Sequence, residues 1–222
     1  MTANNYTTGS ETSPFLQSHS VQLRIWHWLT FLFIAASMVT VLVNSTLLSP
    51  RDNVKLVQEQ LERKGVTVTD DQAFAVSHEY EEKMWEVHKF LGYGLAFLLL
   101  ARIMIEIGQP EEEKLRNRLK MAAVQYKQND GNKAEYRYYL IVKRTYLLFY
   151  LLLFLMALTG LGLAFGQDVE FLRQIRKPLK NIHSLIQYLM YAFVFFHLCG
   201  VIIADLGKAK GIVSGMINGN RK

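Results

Sequence analysis

Four stretches of the chain are apolar over the length of a membrane crossing, and the charges are confined to the segments between them. No charged side chain occurs from Ile25 to Val43, in the 23 residues from Thr145 to Gln167, or in the 21 from Ser184 to Ala204. Phe90 to Ile105 is uncharged apart from Arg102. A hydrocarbon core of about 30 Å is crossed by roughly 20 helical residues, so each stretch is close to or above the length required. One such block could be the core helix of a soluble protein; four in 222 residues argue against that reading. The pattern predicts an all-α integral membrane four-helix bundle, antiparallel, in a single domain over 1–222. Its helices are expected at about 23–46, 85–107, 143–165 and 182–205. The first block is too long for a secretory h-region and no A-x-A-like cleavage site follows it, so it is expected to be retained.

The connections differ in charge. The 48–84 segment is acidic, with Asp70, Asp71, Glu79, Glu81 and Glu82, and its part from Asp70 to Glu86 has a helical composition that leads into the second span. The 108–142 segment is basic, with Lys114, Arg116, Arg118, Lys120, Lys127, Lys133 and Arg137. Arg24, Lys143, Arg144, Lys208, Lys210, Arg221 and Lys222 share its side of the membrane, whereas Arg173, Arg176, Lys177 and Lys180 lie opposite. The excess of Lys and Arg on the first side predicts both termini in the cytoplasm. It also predicts a multi-pass protein of the inner (cytoplasmic) membrane.

Composition adds little to this picture. Half of the residues are hydrophobic and the net charge is +6, which basic residues facing anionic lipid explain without a nucleic-acid partner. The only cysteine, Cys199, excludes an intrachain disulfide, and there is no C-x-x-C-H site for covalent haem.

The candidate chemistry lies in the histidines. Ionisable groups inside a membrane are costly and usually functional. Four of the six histidines, His27, His88, His183 and His197, fall in or at the ends of the predicted spans. Alternating helix direction puts His27 near the inner face and His88 and His183 near the outer face. His197 follows His183 by fourteen residues, about 21 Å further along a helix and within about 40° of the same direction. His27 therefore pairs in depth with His197, and His88 with His183. Two imidazoles from different helices are what a six-coordinate haem iron takes, with both axial positions filled for electron transfer rather than oxygen binding. The expected cofactors are two b haems, one per pair. Other roles are possible for such groups. An intramembrane histidine can bond two helices together. Zinc takes four ligands, and neither layer offers a carboxylate or cysteine to complete a set. A proton-relay transporter would carry acids at mid-membrane. His19 and His78 lie in polar segments and read as solvated.

Arg102 lies fourteen residues after His88, at the inner layer, where it suits a haem propionate or the membrane interface. Arg24, one turn before His27, has the same two roles open. Lys89, Arg176, Lys177 and Lys180 are the corresponding outer cations. Gly92, Gly94, Gly160, Gly162 and Gly200 admit either a macrocycle or close helix packing. The third span has no histidine and is expected to close the bundle. No catalytic residue is assigned.

The run Arg24-Ile25-Trp26-His27-Trp28, the run His88-Lys89-Phe90-Leu91-Gly92-Tyr93, and the spaced pair His183 and His197 resemble the bacterial dihaem b-type cytochrome superfamily. Its members include the cytochrome b subunits of nickel–iron hydrogenases and thiosulfate reductases and the gamma subunits of formate dehydrogenases. The resemblance covers about residues 20–218, and the Arg-x-Trp-His-Trp opening leans toward the hydrogenase branch. It implies an inner haem on His27 and His197 and an outer haem on His88 and His183. It also implies electron exchange between a quinone, menaquinone or ubiquinone, and a soluble or membrane-anchored redox subunit of iron–sulfur or hydrogenase-like type. The expected function is thus the dihaem electron-transfer subunit of an oxidoreductase complex rather than its catalytic subunit. A standalone quinol-dependent oxidoreductase acting on a small oxidant, and a haemless transporter or scaffold, are the competing readings. A quinone is expected near the inner haem, where Arg102, Glu106 and Arg24 supply polar groups.

Overall fold

The computed structural model describes residues 20–112, 114–128, 133–166, 168–207 and 211–219. His19, Lys208, Lys210, Arg221 and Lys222 lie outside them. The chain runs α1 (Val21–Thr46), α2 (Pro50–Glu62), α3 (Asp70–Gly108), α4 (Leu115–Gln128), α5 (Lys133–Ala164), α6 (Glu170–Gln174), α7 (Arg176–Leu206) and α8 (Ile212–Asn218). Four helices are long and apolar enough to cross a membrane: α1, α3, the Tyr139–Ala164 part of α5, and α7.

Their surfaces are inverted relative to a soluble protein. Leu42, Phe97, Met104, Phe196 and Ile203 are exposed, whereas Thr30, Thr40, Asn44, Ser77, Arg102 and Thr159 are buried. Lipid makes the outward apolar side chains favourable and turns the polar side chains inward, away from the hydrocarbon.

By contacts the chain forms two compact units, Trp26–Gln109 with Leu147–Ala192, and Met1–Ile25 with Pro110–Tyr146 and Phe193–Lys222. Within the first, all four spans pack as antiparallel neighbours. Trp26 donates its Nε1–H to Leu98 O (2.7 Å), while fourteen residues on, Thr40 meets His88. The α3–α5 and α5–α7 contacts reverse in the same way: Arg102 bonds Tyr150 and Tyr93 stacks near Phe165, while Thr159 meets His183 and Gly162 faces Leu179.

The connections carry more helix than the sequence reading assigned. Helix α3 is continuous for 39 residues, about 58 Å at 1.5 Å per residue, so its charged N-terminal half projects well beyond a bilayer core. A reciprocal capping box at Thr69 and Gln72 starts it. Val54, Val57 and Leu61 form a half-buried stripe on α2, which packs on α3. Gln58 fixes the pair by donating to Asp70 Oδ1 (2.8 Å), and the turn between them needs Gly65 at φ +78°. Helix α4 fills part of the basic connection, and α5 and α7 begin well before their apolar segments. Helical hydrogen bonding propagates past the apolar residues because charged residues are good helix formers.

In the second unit, Arg24 on α1 donates from Nη1 to Ile217 O (3.1 Å) in the short helix α8. Gly219 closes α8 at φ +85°, and a Cβ there would meet the Arg24 guanidinium at 2.9–3.1 Å.

A candidate haem site

Two histidine–hydroxyl pairs lie in the unit formed by Trp26–Gln109 and Leu147–Ala192, one between α1 and α3 and one between α5 and α7. His88 on α3 is half-buried, and its Nδ1 faces Thr40 Oγ1 at 2.9 Å and Ser37 Oγ at 3.3 Å, both on α1. His183 on α7 is likewise half-buried, with its Nδ1 2.8 Å from Thr159 Oγ1 on α5. Each threonine hydroxyl is itself tied to its own helix: Thr40 to Ser37 O (2.7 Å) and Thr159 to Leu155 O (2.7 Å). Serine and threonine in an apolar helix commonly bond back to the preceding turn in this way. Trp85 stands edge-on to His88, with ring centroids 5.4 Å apart at 89°.

Gly160 lies one residue past Thr159, and a Cβ built on it would come within 3.3 Å of His183 Cε1. The absence of a side chain there gives the imidazole its room. Gly94 and Gly162 serve helix packing instead, since a Cβ at either would strike Phe33 or Leu179, whereas Gly92 and Gly200 meet nothing within 4 Å. We expect Gly160→Leu to displace the His183 ring and deplete one b-type component with both histidines intact, read as the haem-to-protein ratio of the purified protein.

These residues fit a b haem. Each ring has Nδ1 held by the protein, leaving Nε2 as the nitrogen for an iron, and the rings belong to different helices. A ligating histidine held through its other nitrogen is the usual arrangement at metal sites. Among the described residues no group of three or more His, Cys, Asp or Glu could hold a metal ion by itself. A macrocycle that brings its own four nitrogens needs only the two imidazoles.

Of the other pair, His27 belongs to the same unit as His88 and stands edge-on to Trp28, 5.5 Å between centroids. His197 belongs to the other unit, exposed on α7 and parallel to the Phe193 ring at 6.1 Å. Arg24 is engaged with α8, as described above. Lys89, Arg176, Lys177 and Lys180 are exposed. His78 is exposed beside Glu81, as a solvated residue would be.

A second polar group surrounds Arg102, which is only 9% exposed. Its Nε donates to Tyr150 Oη (3.0 Å) and its Nη2 to Glu106 Oε2 (2.7 Å). Its Nη1 is buried with no hydrogen-bond partner among the described residues. Trp26 packs against Tyr150 at 5.9 Å and against Phe149 at 6.4 Å. Buried donors are normally satisfied, so an orphaned guanidinium nitrogen marks a place for an acceptor that the described residues do not supply.

Ser37, Thr40, Thr159 and Tyr150 are absent from the sequence-based candidates, and the third span does more than close the bundle. A hydroxyl in an apolar stretch is the one sequence signal they carry.

Compared with known protein families, the chain matches the model described as prokaryotic cytochrome b561 over residues 18–219. Comparisons with curated proteins and with solved structures find no match.

Proposed function

Because the chain belongs to the prokaryotic cytochrome b561 family, a family of membrane electron-transfer proteins that bind haem b, we propose that it carries two such haems and passes electrons between a quinone and a redox partner subunit. His88 and His183 ligate one haem and His27 and His197 the other. The single observation that carries the reading is the pair of imidazoles from α3 and α7 with both Nδ1 atoms already held.

Haem, when bound, supplies one-electron redox chemistry. The chain's own residues orient and enclose it. Thr40, Ser37 and Thr159 fix the imidazole rings, Gly160 clears space beside His183, and the apolar spans exclude water. Arg102 Nη1 offers a charge-assisted hydrogen bond to a quinone carbonyl or a haem propionate, with Glu106 and Tyr150 holding its other nitrogens. We take the quinone as its occupant, since Trp26 and Tyr150 add flat aromatic surface beside it. The excess of Lys and Arg around the 108–142 segment supports cytoplasmic termini.

A reduced-minus-oxidised optical spectrum of the detergent-purified protein tests the reading. It should show low-spin b-type bands at two haems per chain, and a folded, colourless preparation would overturn it. Co-purification then tests the partner: a redox subunit retained in mild detergent supports a complex, whereas a monomer active alone supports a standalone quinol oxidoreductase.

A further inference from the structure

We propose that Thr159 and Thr40 are positioning residues that lock His183 and His88 in the Nδ1–H tautomer, and so present an electron-rich Nε2 to the iron. This rests on the reading that these two histidines are axial ligands.

A hydroxyl has one proton and can accept through its lone pairs. Thr159 Oγ1 commits its proton to Leu155 O at 2.7 Å, with Met156 O at 3.2 Å as the second choice. The 2.8 Å contact to His183 Nδ1 is then a bond that the ring donates and the hydroxyl accepts. The same logic holds on α1. Thr40 Oγ1 donates to Ser37 O at 2.7 Å, so it accepts from His88 Nδ1–H at 2.9 Å. Both threonines are buried, at 5% and 6% exposure, so no water competes for these bonds. A neutral imidazole with Nδ1 protonated has its free lone pair on Nε2, which is the form a metal takes.

The two rings are held from different helices, α1 for His88 and α5 for His183, so the chain builds the same device twice. One difference separates them. His88 has a reserve acceptor in Ser37 Oγ at 3.3 Å, whereas among the described residues Thr159 is the only hydroxyl placed against His183 Nδ1. Donating a hydrogen bond from Nδ1–H makes Nε2 more basic, and a more basic axial ligand favours the ferric state. The two hydroxyls therefore hold the reduction potential of this haem below the value unassisted imidazoles would give it.

The test compares Thr159→Val, which keeps the branched shape and removes the acceptor, with Thr159→Ser, which restores it. Redox titration followed optically reads the potential of each haem, and low-spin EPR reads the axial field. Thr159→Val should shift one haem upward in potential, change its EPR signature, and weaken its retention by about 10- to 100-fold. Thr159→Ser should match the wild type in all three. Thr40→Val should shift the same haem less, because Ser37 remains, and Ser37→Ala with Thr40→Val should shift it further. Complete haem loss in Thr159→Val with full retention in Thr159→Ser supports the proposal equally. An unchanged potential and EPR spectrum in Thr159→Val, or the same defect in Thr159→Ser, overturns it. His183→Ala is the control: if it loses a haem while Thr159→Val is silent, the proposal alone falls. If it loses none, the ligand assignment falls with it.

Discussion

His88→Ala and His183→Ala should each give protein with one haem in place of two, and the missing spectral component should be the same in both. The axial bond is the main anchor of a non-covalent b haem, and alanine offers the iron nothing in return. Removing a group that merely hydrogen-bonds a metal ligand already costs about 10- to 100-fold in affinity, so loss of the ligand itself should exceed about 100-fold. The two variants share their deficit because, in the proposed pairing, His88 and His183 ligate the same haem, held by Thr40 and Thr159 respectively. His27→Ala and His197→Ala should deplete the other component, each again by one haem. Measuring the haem-to-protein ratio and the low-temperature optical bands of the four variants checks this directly. A common deficit in His27→Ala and His183→Ala would mean that the depth pairing is wrong.

The second large effect is at Arg102. Arg102→Leu should slow reduction of the haems by a quinol about 10- to 100-fold, as expected for one charge-assisted hydrogen bond of about 1.5–3 kcal/mol. Reduction by dithionite should be unaffected, since that reagent needs no bound quinone. Stopped-flow absorbance with each reductant separates the two. The variant should also be less stable, because the 2.7 Å ion pair between Arg102 and Glu106 is lost. Removing one member of a buried ion pair costs about 3–5 kcal/mol, and the partial exposure of the Glu106 side chain (29%) brings this nearer about 2 kcal/mol. Arg102→Leu with Glu106→Leu should recover most of that stability without recovering quinol reactivity. Recovery of both would make Arg102 a structural residue only.

Much of this protein was determined by its sequence alone. Four spans follow from hydropathy and length, because a helix of about 20 apolar residues is the simplest way to cross a bilayer with every backbone group bonded. The placement of His183 and His197 on one α7 face follows from the helical period, since fourteen residues nearly complete four turns. Neither inference needs to know what lies across the bundle.

What touches what was left to the tertiary structure. Thr40 and Thr159 bond to the carbonyls of their own helices, as threonines in apolar spans commonly do, and nothing in the sequence separates these two from Thr30, whose buried hydroxyl has no partner among the described residues. They acquire meaning because α1 packs on α3 and α5 on α7 in registers that bring hydroxyl and imidazole within 2.9 Å. Those registers depend on contacts such as Gly94 against Phe33 and Trp26 on the Leu98 carbonyl. Arg102 was visible as a lone charge in an apolar run, but its partner Tyr150 is 48 residues away on another helix. Hydropathy and period are properties of one helix, whereas a hydrogen bond between helices depends on how two are packed.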